Sequence, residues 1–370
     1  MKAGAGVGSQ LTYVSGRVYL AGPFGGAPLS AVAIVPAVAG PFDVGTVVYR
    51  QALRVDPKSA LVTADGGASD PLPRILAGIP LVVRDVQVSI DRSSFTLNPT
   101  SCDPFATKAS LWGSGANPLS ALDDSPVNRS ARYQAASCQS LAFKPSLSLK
   151  LKGGTRRGTF PALRPFTDPR SGDANLRNPP CASPIRSSSN RVISERSAPR
   201  VQYTAGAGNE SGCPADSVYG HAAEVFTPIL DQPVEGPVFL RSSDNNLPDV
   251  VLALHGPPSL PVHVEVPARI DSVHGGLRAI AAGTPDIPVT KAIVSMQGGQ
   301  KGLFVNSTNI CASKHRANVN LDAQNGKSAA LKPLMRSSLP QTQQGLSPAR
   351  SESTRLNSSH EVPSRMPSSA

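Results

Sequence analysis

The sequence predicts an all-β chain of antiparallel sheets packed as β-sandwiches, and three observations carry the prediction. Glycine and proline number 32 and 36 among 370 residues; both interrupt helices and both serve turns. Apolar residues recur with a period near two rather than 3.6. Turn signals such as Asp65-Gly66-Gly67, Gly275-Gly276 and Asn325-Gly326 separate short apolar runs. Two sheets are then needed to cover each other's apolar faces.

Along the chain, the first runs are Gly16-Arg17-Val18-Tyr19-Leu20 and, after a proline-bearing turn, the apolar residues 31–35. The apolar stretch 27–40 is too short to span a membrane as a helix and contains Pro28 and Pro36. Val82, Arg84, Val86, Val88 and Ile90 alternate with Val83, Asp85, Gln87, Ser89 and Asp91, which predicts one buried and one wet face. In the second half Val262, Val264 and Val266 alternate with His263 and Glu265.

The two halves match in order and rough spacing. Residues 79–102 read IPLVVRDVQVSIDRSSFTLNPTSC and residues 287–311 read IPVTKAIVSMQGGQKGLFVNSTNIC. Each opens Ile-Pro, reaches Phe95 or Phe304, then Asn98 or Asn306, and closes on Cys102 or Cys311. Upstream, 16–20 pairs with Gly236-Pro237-Val238-Phe239-Leu240, and 31–35 with 249–254. This predicts two related immunoglobulin-like β-sandwich domains, residues 1–149 and 201–340, each long enough to bury a core. Chance similarity of β-rich sequence is the alternative. Residues 150–200 are expected to be an irregular basic linker, and 341–370 a disordered tail.

Five cysteines stand at 102, 138, 181, 213 and 311, with no C-x-x-C pair to suggest a zinc site. Cys102 and Cys138 each follow a strand-like run in one domain, and a disulfide between them is the preferred reading; two buried thiols are the alternative.

No reactive constellation stands out, so no catalytic, cofactor-binding or metal-binding residue is expected. Gly4-Ala5-Gly6-Val7-Gly8 has no βαβ unit after it. Gln324-Asn325-Gly326-Lys327-Ser328 ends like a phosphate-binding loop, but Leu321 stands where its first glycine would be, so a hairpin turn is expected. His274-Gly275-Gly276 suggests an oxyanion loop, but there is no G-x-S-x-G elbow. The histidines at 221, 255, 263, 274, 315 and 360 show no i, i+4 pairing. His263 and Glu265 share a strand face, and solvent exposure is expected for both rather than a metal. Asp231, Asp244, Asp249 and the pair Asp123-Asp124 lack calcium-loop spacing.

The net charge of +11 raises the question of an anionic partner. Lys150, Lys152, Arg156 and Arg157 flank Gly153-Gly154 and could meet phosphate. They lack the aromatic residues that stack bases, so a solvated linker is expected there and no specific nucleic acid.

Three stretches carry a resemblance: Pro36-Ala37-Val38-Ala39-Gly40-Pro41-Phe42-Asp43-Val44-Gly45-Thr46, Thr96-Leu97-Asn98-Pro99-Thr100-Ser101-Cys102, and 236–240 followed by Arg241-Ser242-Ser243. They resemble a family of long, repetitive, largely uncharacterised exported proteins of high-GC Gram-positive bacteria, over roughly 2–152 and 201–333. The resemblance implies tandem β-domains, export and a cell-surface location; cell-envelope or extracellular polymers are the partners expected there. It supplies no catalytic residue. It also implies that Met1 is an internal start and that the export signal is lost.

Two segments read as foreign to that pattern. Thr354-Arg355-Leu356-Asn357-Ser358-Ser359-His360 and Ser364-Arg365-Met366-Pro367-Ser368-Ser369-Ala370 are what a standard short-read sequencing adapter encodes, so 351–370 is expected to be adapter read-through. Residues 179–199, PPCASPIRSSSNRVISERSAP, lack apolar periodicity. A one-base shift permits AAVRLPHSEFLEQGHIRTVCT, which would place a cysteine where Ala198 stands, as a partner for Cys213. A natural basic linker is the alternative.

The sequence therefore leads to a non-enzymatic, exported structural or adhesive β-protein. A carbohydrate- or polyanion-binding module is the second reading.

Overall fold

A computed structural model describes residues 1–7, 10–93, 95–112, 126–183, 185–189, 213–274, 276–281 and 283–338. The chain is all-β. Strands are joined by turns and short 3-10 segments, and no α-helix occurs among the described residues. No helix there is long and apolar enough to cross a membrane.

The first strands are β1 (Lys2–Val7), β2 (Gln10–Ser15), β3 (Arg17–Ala21), β4 (Leu29–Ala39), β5 (Phe42–Val55), β6 (Val62–Asp65), β7 (Ile75–Leu76), β8 (Ile79–Pro80) and β9 (Val83–Gln87). They build a three-stranded sheet β2-β1-β9, a four-stranded sheet β3-β4-β5-β6 and the small pair β7-β8. The glycine-rich opening lies on β1, a strand rather than a nucleotide turn; Gly8 lies outside the described residues. Alternation on β4 turns Ala33, Val35 and Ala37 inward, 5%, 5% and 7% exposed, while Ile34, Pro36 and Val38 face out. Arg50 knots this sheet. Its Nε donates to Ser30 Oγ at 3.0 Å, and its guanidinium lies 4.6 Å from the Phe24 ring centre.

One expectation fails here. The face of Val82, Val86, Val88 and Ile90 is exposed rather than buried, with Val86 at 47% and Ile90 at 58%. The strand β9 ends at Gln87, before Val88 and Ile90, and Val82 and Val86 border an open space of about 240 Å³ shared with Ala33, Val35 and Val47, which the neighbouring sheet does not fill.

Strands β10 (Phe105–Leu111) and β11 (Val127–Tyr133) form a separate antiparallel ribbon. It is exposed along nearly its whole length, and Phe105 stacks on Tyr133 with ring centres 5.5 Å apart. At its base Cys102 and Cys138 stand at disulfide distance, Cα to Cα 5.6 Å.

The remaining strands are β12 (Ser146–Lys152), β13 (Ala162–Asp168), β14 (Leu176–Ser183), β15 (Ile185–Ser189), β16 (Val218–Phe226), β17 (Val234–Arg241), β18 (Asp249–His255), β19 (His263–Val273), β20 (Gly276–Ala281), β21 (Lys291–Met296), β22 (Phe304–Asn306), β23 (Asn318–Ala323), β24 (Ser328–Leu331) and β25 (Met335–Ser338). Eleven of them form one sheet in the order β22-β15-β20-β19-β18-β17-β16-β21-β13-β12-β25, and β14-β23-β24 form a second. The main core, with Leu151, Leu163, Tyr219, Val238 and Leu240, lies on one face of the large sheet. Leu149, Phe143, Val319 and Leu321 form a second core.

The stretch 150–200 differs from the irregular linker expected of it. It holds part of β12 and all of β13, β14 and β15, and the boundary at 149 falls inside β12. The physical reason is legible in Ser-Leu-Ser-Leu-Lys-Leu-Lys at 146–152. Leu149 and Leu151 are 2% and 4% exposed, while Lys150 and Lys152 face water. The lysines that suggested a linker are the wet half of a period-two strand. Side chains from 179 onward in that stretch, and the tail 341–370, lie outside what is described.

Of the matching segments, 16–20 and 31–35 lie on the antiparallel pair β3-β4, and 236–240 and 249–254 on the antiparallel pair β17-β18. The downstream segments differ: Phe304 is on β22, whereas Phe95 is outside any strand.

Candidate functional site

Cations gather on the outward face of β12, β13 and β25. On β12 the inward positions are Leu147, Leu149 and Leu151, which leaves Ser148, Lys150 and Lys152 outward. The antiparallel register sets Lys150 opposite Arg164 of β13. The parallel register sets it opposite Arg336 of β25. Arg164, Lys150 and Arg336 therefore form one row across three adjacent strands, which lie about 4.7–4.9 Å apart. All three are exposed, and none takes part in an ion pair among the described residues. Like charges placed directly opposite one another destabilise a sheet. Lys152 is next on the same face, opposite Ala162. The acidic residue sharing this face of the β12-β13 pair is Asp168, at its far end opposite Ser146.

The turn from β12 to β13 carries Arg156 and Arg157, both exposed. Gly153 and Gly158, at φ of 109° and 78°, supply the left-handed backbone the turn requires. Asn306, 3% exposed, pins it. Its Nδ2 donates to Gly154 O at 2.9 Å and to Thr159 Oγ1 at 3.1 Å, and its backbone N–H donates to Thr159 O at 2.9 Å. Ile310 N–H donates to Thr155 O at 2.9 Å. The two arginines thus ride on a braced turn, beside the row.

The structure brings together the four residues the sequence grouped, Lys150, Lys152, Arg156 and Arg157, and adds two it did not. Arg164 was not legible in the sequence, because a tight hairpin on Gly153-Gly154 would align Lys150 with Arg157; the nine-residue connection 153–161 sets Lys150 opposite Arg164 instead. Arg336 was not legible either, because parallel pairing between β12 and β25 leaves no local signal.

The other sequence candidates are placed differently. His263 and Glu265 are not solvent-facing: their side chains are 15% and 9% exposed, with Nε2 and Oε1 3.4 Å apart. They sit behind the turn between β5 and β6, where Glu265 N–H donates to Pro57 O at 2.9 Å. The hydrogen bond with His263 holds the Glu265 carboxyl below the usual glutamate range; burial opposes it, and the charges of His263, Lys58 and Arg241 assist. The His255 ring lies 4.7 Å from that of His263, and Arg241 faces Asp249 at 3.5 Å. Among the described residues no three His, Cys, Asp or Glu side chains stand close enough to share a metal ion.

Asn325 and Gly326 form the turn between β23 and β24, as the sequence predicts. Gly326 has φ of 81°. Lys327 Nζ donates to Leu141 O at 2.6 Å, and Asn325 Nδ2 donates to Cys138 O at 2.9 Å, so neither serves a phosphate. His274 lies at the turn between β19 and β20, with φ of 50°; Gly275 falls outside the described residues, as do Asp123, Asp124, Ala198, His360 and the side chains of Cys181 and His221. His315 Nε2 lies 3.2 Å from Ser313 Oγ. Cys311 is exposed, its Sγ 3.8 Å from Ser337 Oγ.

Comparison with protein-family models, with curated proteins and with solved structures finds no match to this chain.

Proposed function

We propose that the protein is a non-enzymatic, exported β-protein with an adhesive role at the cell surface, and that it holds an anionic envelope or extracellular polymer on the face of β12, β13 and β25. The observation that carries this reading is the row Arg164, Lys150, Arg336: three exposed cations on adjacent strands without an ion-pair partner among the described residues. Such a row costs stability by itself and is relieved by a chain of anions laid across the strands. The two arginines add planar, two-pronged donors suited to carboxylate, sulfate or phosphate. Export is supported by the Cys102–Cys138 pair, since disulfides persist in oxidising compartments. The finer reading of two related immunoglobulin-like sandwiches belongs to the same proposal, supported by the matched pairs β3-β4 and β17-β18.

The test is retention on immobilised dextran sulfate against uncharged dextran at moderate salt. Selective retention, lost in the triple variant Lys150→Gln, Arg164→Gln, Arg336→Gln, is the expected result. Equal elution from both columns, or unchanged retention of the triple variant, would overturn it.

A further inference from the structure

The inward face of the large sheet borders a cavity of about 430 Å³. Register builds one wall: Leu252 lies opposite Val266, Leu254 opposite Val264, and Ile270 opposite Ala279, all facing the space. Pro285, Ile287 and Val289 close another side, and Val55 and Ala60, from the turn between β5 and β6, a third. Protein interiors seldom leave voids larger than a water molecule. This one falls within the ~300–1,000 Å³ typical of small-ligand pockets.

The wall chemistry narrows the occupant. Hydrogen-bonding side chains in the wall are few: Thr167, Thr227, Thr284 and Arg278. The Thr284 hydroxyl donates to Leu176 O at 2.9 Å. Arg278, which touches the wall, donates from Nε to Asp271 Oδ1 at 2.9 Å. Phe304 is the single aromatic ring among the wall residues. Such a wall offers dispersion contact along an aliphatic surface, and an apolar cavity of this kind excludes water. Charge at the rim adds a direction. Lys58 stands between Val55 and Ala60 in the capping turn; it is exposed, its ammonium makes no ion pair within 4 Å among the described residues, and its charge acts at longer range on Asp56 and Glu265. The turn itself is fixed, because Asp56 Oδ1 accepts from Ser59 N at 2.7 Å and Glu265 N–H donates to Pro57 O at 2.9 Å.

We propose that this cavity binds the acyl chain of one free fatty acid, its carboxylate held at the rim by Lys58. The site is separate from the basic row, which lies on the opposite face of the sheet.

The test is a titration of the full chain with cis-parinaric acid, a linear polyene fatty acid that fluoresces in apolar surroundings, followed by displacement with palmitate. Saturable one-to-one binding is expected. Ala279→Phe and Val266→Phe, on different strands, each fill the cavity and are expected to weaken binding at least tenfold while keeping a cooperative melt. Two filling variants are used so that misfolding of one leaves the test standing. Lys58→Gln is expected to weaken binding of the acid several-fold and leave that of its methyl ester unchanged. No saturable binding by the unaltered protein would overturn the proposal. So would full affinity in a folded filling variant, or an equal response of acid and ester to Lys58→Gln.

Discussion

Replacing Lys150 with glutamine is expected to move stability and polymer retention in opposite directions. Lys150 lies directly opposite Arg164 on one side and Arg336 on the other. At a separation of ~5 Å, two unit charges in a water-like medium repel by about 0.8 kcal/mol. Two such neighbours set an upper bound near 1.7 kcal/mol. Exposed side chains splay apart, and physiological salt screens them over about 8 Å, which brings the expected gain to ~0.4–1.2 kcal/mol. The assay is urea unfolding of Lys150→Gln beside the unaltered protein at about 0.01 M and about 1 M salt, where screening lengths are ~30 and ~3 Å. The gain should appear at low salt and vanish at high salt. Lys152→Gln serves as the control, because Lys152 faces Ala162 and so relieves no directly opposed charge. Retention of Lys150→Gln on dextran sulfate should fall. A loss of stability at low salt, or a gain indifferent to salt, would refute the reasoning that the three cations repel one another.

Other expectations follow from the hydrogen bonds and the pairings. Asp286 accepts from Thr100 N and Thr100 Oγ1, each at 2.7 Å, from Ser101 N at 2.9 Å and from Asn175 Nδ2 at 2.8 Å, so Asp286→Ala should cost about 3 kcal/mol in denaturant unfolding. A cost below about 0.5 kcal/mol would mean that water replaces those bonds. Changing Cys102 and Cys138 together to alanine opens a link across 36 residues and should lower stability by ~3–4 kcal/mol on the chain-entropy account; an unchanged denaturation midpoint would count against it. The Glu265 carboxyl is held below its usual range in the folded state, so its contribution is present above the unfolded-state value and is lost as pH falls through the acid range below about 4.3. Glu265→Gln should therefore flatten the acid limb of a plot of melting temperature against pH, and an acid limb of unaltered steepness would sink that assignment.

How far the sequence could be read varies from element to element. Period-two alternation and turn chemistry give the all-β class, and they place Asn325-Gly326 at a hairpin. The Cys102–Cys138 pair was also within reach, because each cysteine follows a strand-like run. The same alternation misleads at Val86, Val88 and Ile90. A pattern tells which residues share a face, but only the fit of a neighbouring element decides whether that face is covered; β4 and β5 leave an open space beside Val86, and β9 ends before Val88 and Ile90. At 146–152 the error runs the other way. Lysines drew the reading toward a linker, although the leucines between them already marked a strand. Asn306 was noticed only as a member of a repeat; its bracing of the turn after β12 depends on β22 lying beside that turn. Arg336 is the hardest case, since only the assembled sheet sets it next to Lys150. Charge composition therefore grouped Lys150, Lys152, Arg156 and Arg157 but could not place Arg164 and Arg336 beside them.

The ribbon of β10 and β11 has a mechanical consequence. In the proposed adhesive role, load would run along the chain. Force arriving at Cys102 crosses directly to Cys138, because the link at the ribbon's base spans the 36-residue separation. The ribbon, exposed on both sides and weakly supported, carries none of that tension. At about 3.4 Å per residue, a contour of roughly 120 Å is withheld from extension. Under reducing conditions the same length is released, and the distance the chain can span between its ends grows by that amount.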